Sequence, residues 1–327
     1  MNKHNKHYQQ LTQEQRYQIS GLRKAGMSTR AISQEVGVHF STISRELLRN
    51  QTADCYDPGQ AHLLCEERRR SALKANKFSE KSDTYIKTSL TMGWSPEALS
   101  QRLKLEVEAD EQLSHSTIYR RISKDKEQGG ELYRKLPRFG KRRCKGGKRN
   151  KKAGVGLIPD RTDITERPKV VNERKRLGDW EGDTVHGQKA HLVTLVERTS
   201  RFSLVKRVFS KTKEEVANAM IELFTKVHSV LTVTLDNGGE FADHARVAKK
   251  TGADIYFAKP YASWQRGTNE NFNGRIRRFW PKKFDMATLT DKEIENSIFL
   301  LNITPRKVLG GLTPLEVFTG KRVALIT

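Results

Sequence analysis

The chain has 327 residues, with 61 Lys and Arg against 38 Asp and Glu, for a formal net charge of +23. That length accommodates about two or three domains, and the charge points to a polyanion partner, nucleic acid first and an anionic membrane surface second. No apolar run is long enough to cross a bilayer, and the N-terminal MNKHNKHYQQ lacks an apolar signal core, so the chain reads as soluble, intracellular and not membrane-bound.

The cysteines Cys55, Cys65 and Cys144 are an odd set at irregular spacing, which excludes a disulfide framework. His4 and His7 with Cys55 and Cys65 make a poor zinc site. Nine residues separate the two cysteines, where zinc sites use a close pair, so free thiols are expected.

Residues 12–50 predict three short helices. The first carries Tyr17, Ile19 and Leu22 and breaks at Gly26. Ser28 can cap a second helix bearing Ala31, Ile32 and Val36. Gly37-Val38 turns into a third, FSTISRELLRN, with Ile43 and Leu47 inward. Short helices joined by a glycine turn are the helix-turn-helix pattern, expected to fill residues 1–52. The outer side of the third helix offers Ser41, Thr42, Ser44, Arg45 and Arg49, hydroxyls and guanidiniums suited to base edges and phosphates.

After a helical connector over 53–91 comes a faint repeat. HFSTISR (39–45) is echoed by SHSTIYR (114–120). Upstream, WSPEALSQRL supplies Ser95 as N-cap, Pro96 at the first helical position, and Ala98, Leu99 and Leu103 as the inner face. A second helix-turn-helix is expected over 92–128, with Thr117 and Arg120 toward DNA. Residues 134–152 hold 11 basic residues and no acids, so 129–172 is expected to be a flexible cationic linker able to track phosphates.

The periodicity then changes, and 173–327 reads as one α/β domain. LGDWEGDTVHG, AHLVTLVE and FSLVKRVF predict three strands joined by short turns, an antiparallel meander. Thr212 and Glu215 have capping-box spacing, and the helix behind them lines up Val216, Met220, Leu223 and Val227. VLTVTLD is a strand apolar on both faces. A short helix over about 240–250, the strand ADIYFA and a long helix closed by Pro281 follow. The order is βββαβαβα, a mixed sheet with helices on its faces.

Three acids stand out in this basic chain. Asp183 lies toward the end of the first strand. Asp236 ends the fourth, before Asn237-Gly238-Gly239, at the sheet edge where α/β active sites gather. Glu270 sits on the polar face of the long helix with Asn273, Gly274 and Arg277, opposite Phe272, Ile276 and Phe279. It is placed to pair with Arg266 and Arg277 if it is only a surface charge. Carboxylates repel phosphate unless a cation intervenes. Mg²⁺ takes carboxylate, phosphate and water oxygens, and two such ions about 4 Å apart support in-line displacement at phosphorus. Asn237, Asn269 and Asn273 are candidates to orient ligands. Lys259, Tyr261, Trp264, Gln265 and Arg266 form a DNA-facing loop, with the core an equal alternative for Trp264. Glu240 reads as a helix cap and His186 as structural.

Trp180-x-x-Asp183-Thr184, Asp236-Asn237-Gly238 and Asn269-Glu270 resemble the DDE motif of the transposase and retroviral integrase superfamily, with its ribonuclease H-like core. The 33 residues between Asp236 and Glu270, the block RGTNENFNGRIRRFWP (266–281) and the tail NITPRKVLGGLTPLEVF (302–318) are similar to the insertion-sequence-thirty family of bacterial transposases. So are STISREL and the total length. The resemblance implies Asp183, Asp236 and Glu270 as catalytic and metal-binding residues, with two Mg²⁺ ions for which Mn²⁺ can substitute. It implies cleavage at element ends and transfer of the 3′ hydroxyl to target DNA without a covalent enzyme–DNA intermediate. It also implies double-stranded DNA as partner, with terminal inverted repeats read by the N-terminal modules, and Lys259, Arg266 and Arg277 are further DNA-binding candidates. A homodimer or larger assembly on DNA, in the bacterial cytoplasm at the nucleoid, follows from the same resemblance. A non-catalytic regulator would have no use for the three acids. A ribonuclease H-like nuclease that only cleaves is the other alternative. Glu181 and Asp179 share a strand face with Asp183, so geometry does not choose among them. The Trp-x-x-Asp match and the position along the strand favour Asp183 over Glu181.

Overall fold

The structure is a computed structural model describing residues 10–51, 55–72, 79–140, 158–260 and 262–325. It divides into two compact units, Met1–Asn76 and Lys77–Thr327.

The first unit is helical: α1 (Gln13–Lys24), α2 (Thr29–Val36), α3 (Phe40–Asn50) and α4 (Pro58–Ser71). Thr12 caps α1 in a capping box with Gln15, and Ser28 accepts from the Ala31 amide. Gly37 ends α2 at φ 71°, a left-handed backbone that favours glycine. Ile19, Ile32, Ile43 and Leu47 form the core with Tyr56 and Ala61. Among the apolar residues of α1, Ile19 is buried while Tyr17 is 55% exposed. The buried neighbour is Arg16, whose Nε donates to Glu46 at 2.7 Å. Apolar periodicity could not anticipate an ion pair in that place.

In the second unit α5 (Glu80–Thr91), α6 (Pro96–Glu106) and α7 (His115–Glu127) pack around Ile86, Leu90, Trp94, Leu99, Leu103 and Ile118. The expected connector over 53–91 therefore belongs half to each unit, α4 to the first and α5 to the second. Ser95 caps α6 with Pro96 in its first turn. The STI of the two repeats opens α3 and α7 alike, with Ile43 and Ile118 buried and Arg45 and Arg120 exposed.

Of the expected linker over 129–172, residues 141–157 lie outside the described residues. Its ends are folded. Leu132 is buried near α7. Strand β1 (Thr162–Asp163) adds to the sheet, a short helix α8 (Val170–Glu173) follows, and Ile158 and Val171 are buried. The apolar residues at those ends are too sparse to show a period.

The sheet contains β2 (Asp179–His186), β3 (His191–Glu197), β4 (Ser203–Val208), β5 (Thr232–Leu235) and β6 (Asp254–Phe257), in the order β1-β6-β5-β2-β3-β4. The β2-β3-β4 meander is antiparallel, and β5 joins β2 in parallel. Helices α9 (Lys213–Phe224) and α10 (His244–Thr251) cover one face, packing on Val193, Leu195 and Val233. Helices α11 (Gly267–Phe279) and α12 (Asp291–Asn302) cover the other, packing on Val185, Leu192 and Val196. The alternation along β3 is the period-2 signature of a strand buried on both sides. At Gly182 an added Cβ would meet the Leu235 side chain at 2.6 Å, so the absence of a side chain there leaves room for Leu235. Thr212 caps α9, but Glu215 does not return the bond expected of it. Its carboxylate accepts from the Phe209 and Ser210 amides. A last helix, α13 (Pro314–Thr319), docks on α6. There Arg102 donates to Glu316 at 2.6 and 2.9 Å and to Glu106 at 2.6 Å. No helix among the described residues is long and apolar enough to cross a membrane.

Candidate active site

Strand β2 turns Asp179, Glu181 and Asp183 toward one face, and each meets a different environment. Asp179 is buried, accepting from Arg176 and from Thr232 Oγ1. Glu181 is fully buried (0% exposed), paired with Arg198 and accepting from the Asn269 amide at 2.9 Å. It ties β2 to the first turn of α11 and has no path to solvent. Asp183 alone remains partly open, its side chain 22% exposed. The Thr184 amide holds Oδ1 at 2.8 Å and Asn273 Nδ2 holds Oδ2 at 2.8 Å. Thr194 in turn donates to Asn269 and Asn273. Asn269 and Asn273, two of the three asparagines read as ligand-orienting candidates, thus form a polar seam between α11 and the sheet. Asn273, on the polar side of α11, orients the aspartate, the role read for it as a ligand-orienting candidate.

Asp236 follows β5 directly, and its Oδ1 accepts from the Gly238 amide at 3.0 Å. Asn237 is turned away, toward the Ala258 carbonyl and Arg161. The Arg266 guanidinium joins the two aspartates, 3.0 Å from Asp236 Oδ2 and 3.7 Å from Asp183 Oδ1, while also donating to the Gly182 carbonyl at 2.8 Å. Burial and repulsion from Asp236 push the Asp183 carboxyl above its ordinary range, against the pull of Arg266. A fourth carboxylate lies close by. Glu240 accepts from Thr184 Oγ1 at 2.8 Å and from Lys211. Although burial opposes it, these bonds hold Glu240 below the usual range. Glu240 does stand in the first turn of a short 3₁₀ helix, but its carboxylate is engaged across the site rather than only capping. Sequence reasoning missed this. The signal was its position four residues after Asp236 at the same strand end.

Glu270 is exposed in the first turn of α11 and makes no ion pair among the described residues. The expected pairing with arginines does not form: Arg266 serves the aspartates, and Arg277 donates to the His186 carbonyl at 2.6 Å. Nor does Glu270 complete a cluster, since no three His, Cys, Asp or Glu of the described residues converge closely enough to hold a metal. The structure therefore brings Asp183 and Asp236 together and leaves Glu270 apart on the adjoining helix. The two aspartates fit a divalent metal on their chemistry. They are hard oxygen donors whose mutual repulsion already recruits a cation, the Arg266 guanidinium, between them.

The remaining candidates are spread more widely. Lys259 and Trp264 are exposed before α11, Trp264 at 76%, so it is not core. Tyr261 lies outside the described residues. His186 stacks on His191 with ring centroids 4.7 Å apart. In the first unit Thr42, Arg45 and Arg49 line a cleft with Arg68 and Arg69, and Ser41 and Ser44 lie on the same helix. Thr117 is half-buried and Arg120 exposed on α7.

A helix-turn-helix unit preceding a mixed sheet, with one aspartate on β2 and another just after the neighbouring β5, defines a DNA-processing enzyme of the integrase-core class. Residues 7–50 match the family model of a helix-turn-helix domain, and residues 173–263 match that of the integrase core domain. The chain is 40% identical to the transposase for insertion sequence element IS4351 of Bacteroides fragilis, covering 94% of this chain and 95% of that one. It is 34% identical to the transposase InsI for element IS30A of Escherichia coli K12, covering 94% and 82%. Among solved structures, the catalytic core domain of BIV integrase aligns with 44% of this chain and 94% of its own, at 23% identity and TM-score 0.36. The chain belongs to the insertion-sequence-thirty (IS30) family of transposases. It is a DDE-type DNA transposase with a divalent-metal-dependent active site.

Proposed function

We propose that this transposase binds the terminal inverted repeats of its element, cleaves the DNA there and transfers the freed 3′ hydroxyl to target DNA. Asp183, Asp236 and Glu270 are the catalytic residues in this reading. The observation that carries it is the juxtaposition of Asp183 on β2 and Asp236 just after the neighbouring β5, with a cation already between them. Glu270 enters through its place on α11, whose first turn also supplies the Asn269 contact to the sheet.

The residues present would hold Mg²⁺, as two ions per site with Mn²⁺ able to substitute. When bound, the metal supplies Lewis-acid activation of water or a 3′ hydroxyl and stabilisation of the leaving oxygen. The chain's own residues do the rest. Asn273 and the Thr184 amide fix the orientation of Asp183. Asp183 must be ionised to act as a ligand, and Arg266 favours that form against burial. Arg266 is then placed to neutralise a DNA phosphate brought to the aspartates. Arg277 and Lys259 flank the same helix and loop as further phosphate-binding groups.

The outer face of α3, with Ser41, Thr42, Ser44, Arg45 and Arg49, reads the repeat. The α6–α7 pair extends the footprint through Thr117 and Arg120. The domain plan in this reading is an end-recognition unit, a second helical DNA-binding unit, a basic segment and the catalytic core. Two ends require two active sites, so the protein works as a homodimer or larger assembly on DNA, in the bacterial cytoplasm at the nucleoid. Asp236→Asn is expected to retain binding to element ends while abolishing Mg²⁺-dependent cleavage and joining. Joining at the wild-type rate by that variant would remove Asp236 from the metal site.

A further inference from the structure

The side of α11 turned away from Asn269 and Asn273 borders a cavity of about 340 Å³. Arg174, Arg201, Arg275, Arg306 and Lys307 line it, and no carboxylate does. None of these five cations forms an ion pair among the described residues. Lys307 is exposed, but Arg306, Arg201 and Arg275 have poor environments for an isolated charge. Arg306 is only 6% exposed, its Nη2 donates to the Leu301 carbonyl at 2.7 Å, and its buried Nη1 has no partner. Arg201 donates to Thr268 Oγ1 at 2.6 Å and Arg275 to Asn271 at 3.2 Å, both neutral acceptors. Arg174 and Arg201 also hold left-handed backbones, at φ 53° and 64°, a conformation that costs energy in a residue with a Cβ.

Burying like charges together without counter-charge is unfavourable. Burial and neighbouring arginines pull Arg306 well below its ordinary range, and burial draws Arg201 and Arg275 down to about 10. The carboxylates nearest Arg201, Glu181 and Glu197, lie outside the cavity and are engaged by Arg198 and by Thr199 and Ser200, so the cavity itself lacks an anion. A second cavity, bordered by α6 and α7, shares Arg275, Arg306 and Lys307 with the first and adds Arg138 and Arg278. The cations therefore run as a strip along α11 toward the second helical module.

We propose that Arg174, Arg201, Arg275 and Arg306 form an anion pocket that takes a backbone phosphate of DNA on the face of α11 opposite the aspartates. Arginine suits this task, since its planar fork binds phosphate with two parallel bonds. A phosphate there supplies the partner that Arg306 Nη1 lacks. It also fixes duplex passing from α7 against the helix that carries Glu270. The pocket involves neither Asp183 nor Asp236, so the proposal stands apart from the assignment of the catalytic carboxylates.

Two measurements on the full-length protein test it. First, thermal unfolding is followed in a buffer without multivalent anions and again with added inorganic phosphate. The wild type is expected to gain melting temperature with phosphate. Arg306→Met is expected to start higher, because an unpaired buried charge is gone, and to lose the response. Arg275→Gln, at a half-buried position, is expected to weaken it. Second, binding to a duplex of arbitrary sequence is measured against salt. Each variant is expected to lower affinity and to reduce the steepness of the salt dependence by about 0.9 for each phosphate that is no longer neutralised. An unchanged phosphate response in both variants would overturn the pocket. A lost phosphate response with an unchanged salt slope would mean a site for free anion only, and would overturn its assignment to DNA.

Discussion

Replacing Glu181 by Gln separates the two acids of the WEGDTV stretch. Glu181 is fully buried between Arg198 and the Asn269 amide. The amide oxygen of Gln can still accept from Asn269, but it cannot neutralise Arg198, itself buried with Nε already unpartnered. Removing one partner of a buried ion pair costs roughly 3–5 kcal/mol, and the retained amide bond sets the expectation near the lower end, about 3 kcal/mol. For a unit of this size that corresponds to roughly 6–12 °C in melting temperature. Asp183→Asn is a control at the next position on the same face. Its carboxyl is partly open and destabilised by burial and by Asp236 when ionised. Neutralising it is expected to change stability by less than about 1 kcal/mol while abolishing joining. Urea and thermal unfolding, with a strand-joining assay on the same preparations, measure both. A Glu181→Gln protein as stable as the wild type, or an Asp183→Asn protein that loses as much stability as Glu181→Gln, would refute the division of roles.

Glu316 gives a pH signature. Although burial opposes it, the bonds from Arg102 and from the Val323 and Thr313 amides depress its carboxyl from 4.5 to about 2. A depressed carboxylate contributes stability above its unfolded value, lost as pH falls through the folded one. The docking of α13 on α6 should therefore weaken between pH 4.5 and about 2, by about 3 kcal/mol in all. Hydrogen exchange in α6 and α13 should speed up over that window in the wild type. In Glu316→Gln, exchange should be fast already at neutral pH. At the other end of the chain, Arg45→Ala should weaken binding to the element ends without altering the fold of the second unit. Unchanged footprints would remove Arg45 from the recognition surface.

Most of the fold was legible because its elements carry local signals. Ser28, Ser95 and Gly37 mark helix ends by their own chemistry, and the apolar runs of β3 and β5 announce buried strands. What was not legible depends on residues far apart in sequence. Arg16 is buried because Glu46, thirty residues away, meets it. Thr162–Asp163 becomes a strand only because the edge of β6 is free to pair. Around the site, strand alternation put Asp179, Glu181 and Asp183 on one face but could not reveal that Arg176 and Arg198 would occupy the first two. Glu240 was hidden for the same reason, its partners Thr184 and Lys211 coming from other elements. The seam of Asn269 and Asn273 was suspected from residue type, but their partners Glu181, Thr194 and Asp183 come from other elements.

Three carboxylates act together in the proposed site, and Glu270 is the one that stands apart from the aspartates in the structure. Joining of labelled element ends to target DNA by Glu270→Gln, with Mg²⁺ present and end binding checked by footprinting, tests that claim directly. The expected result is intact footprints with cleavage and joining abolished. Joining at the wild-type rate would show that Asp183 and Asp236 suffice without it, and would contradict the three-carboxylate site.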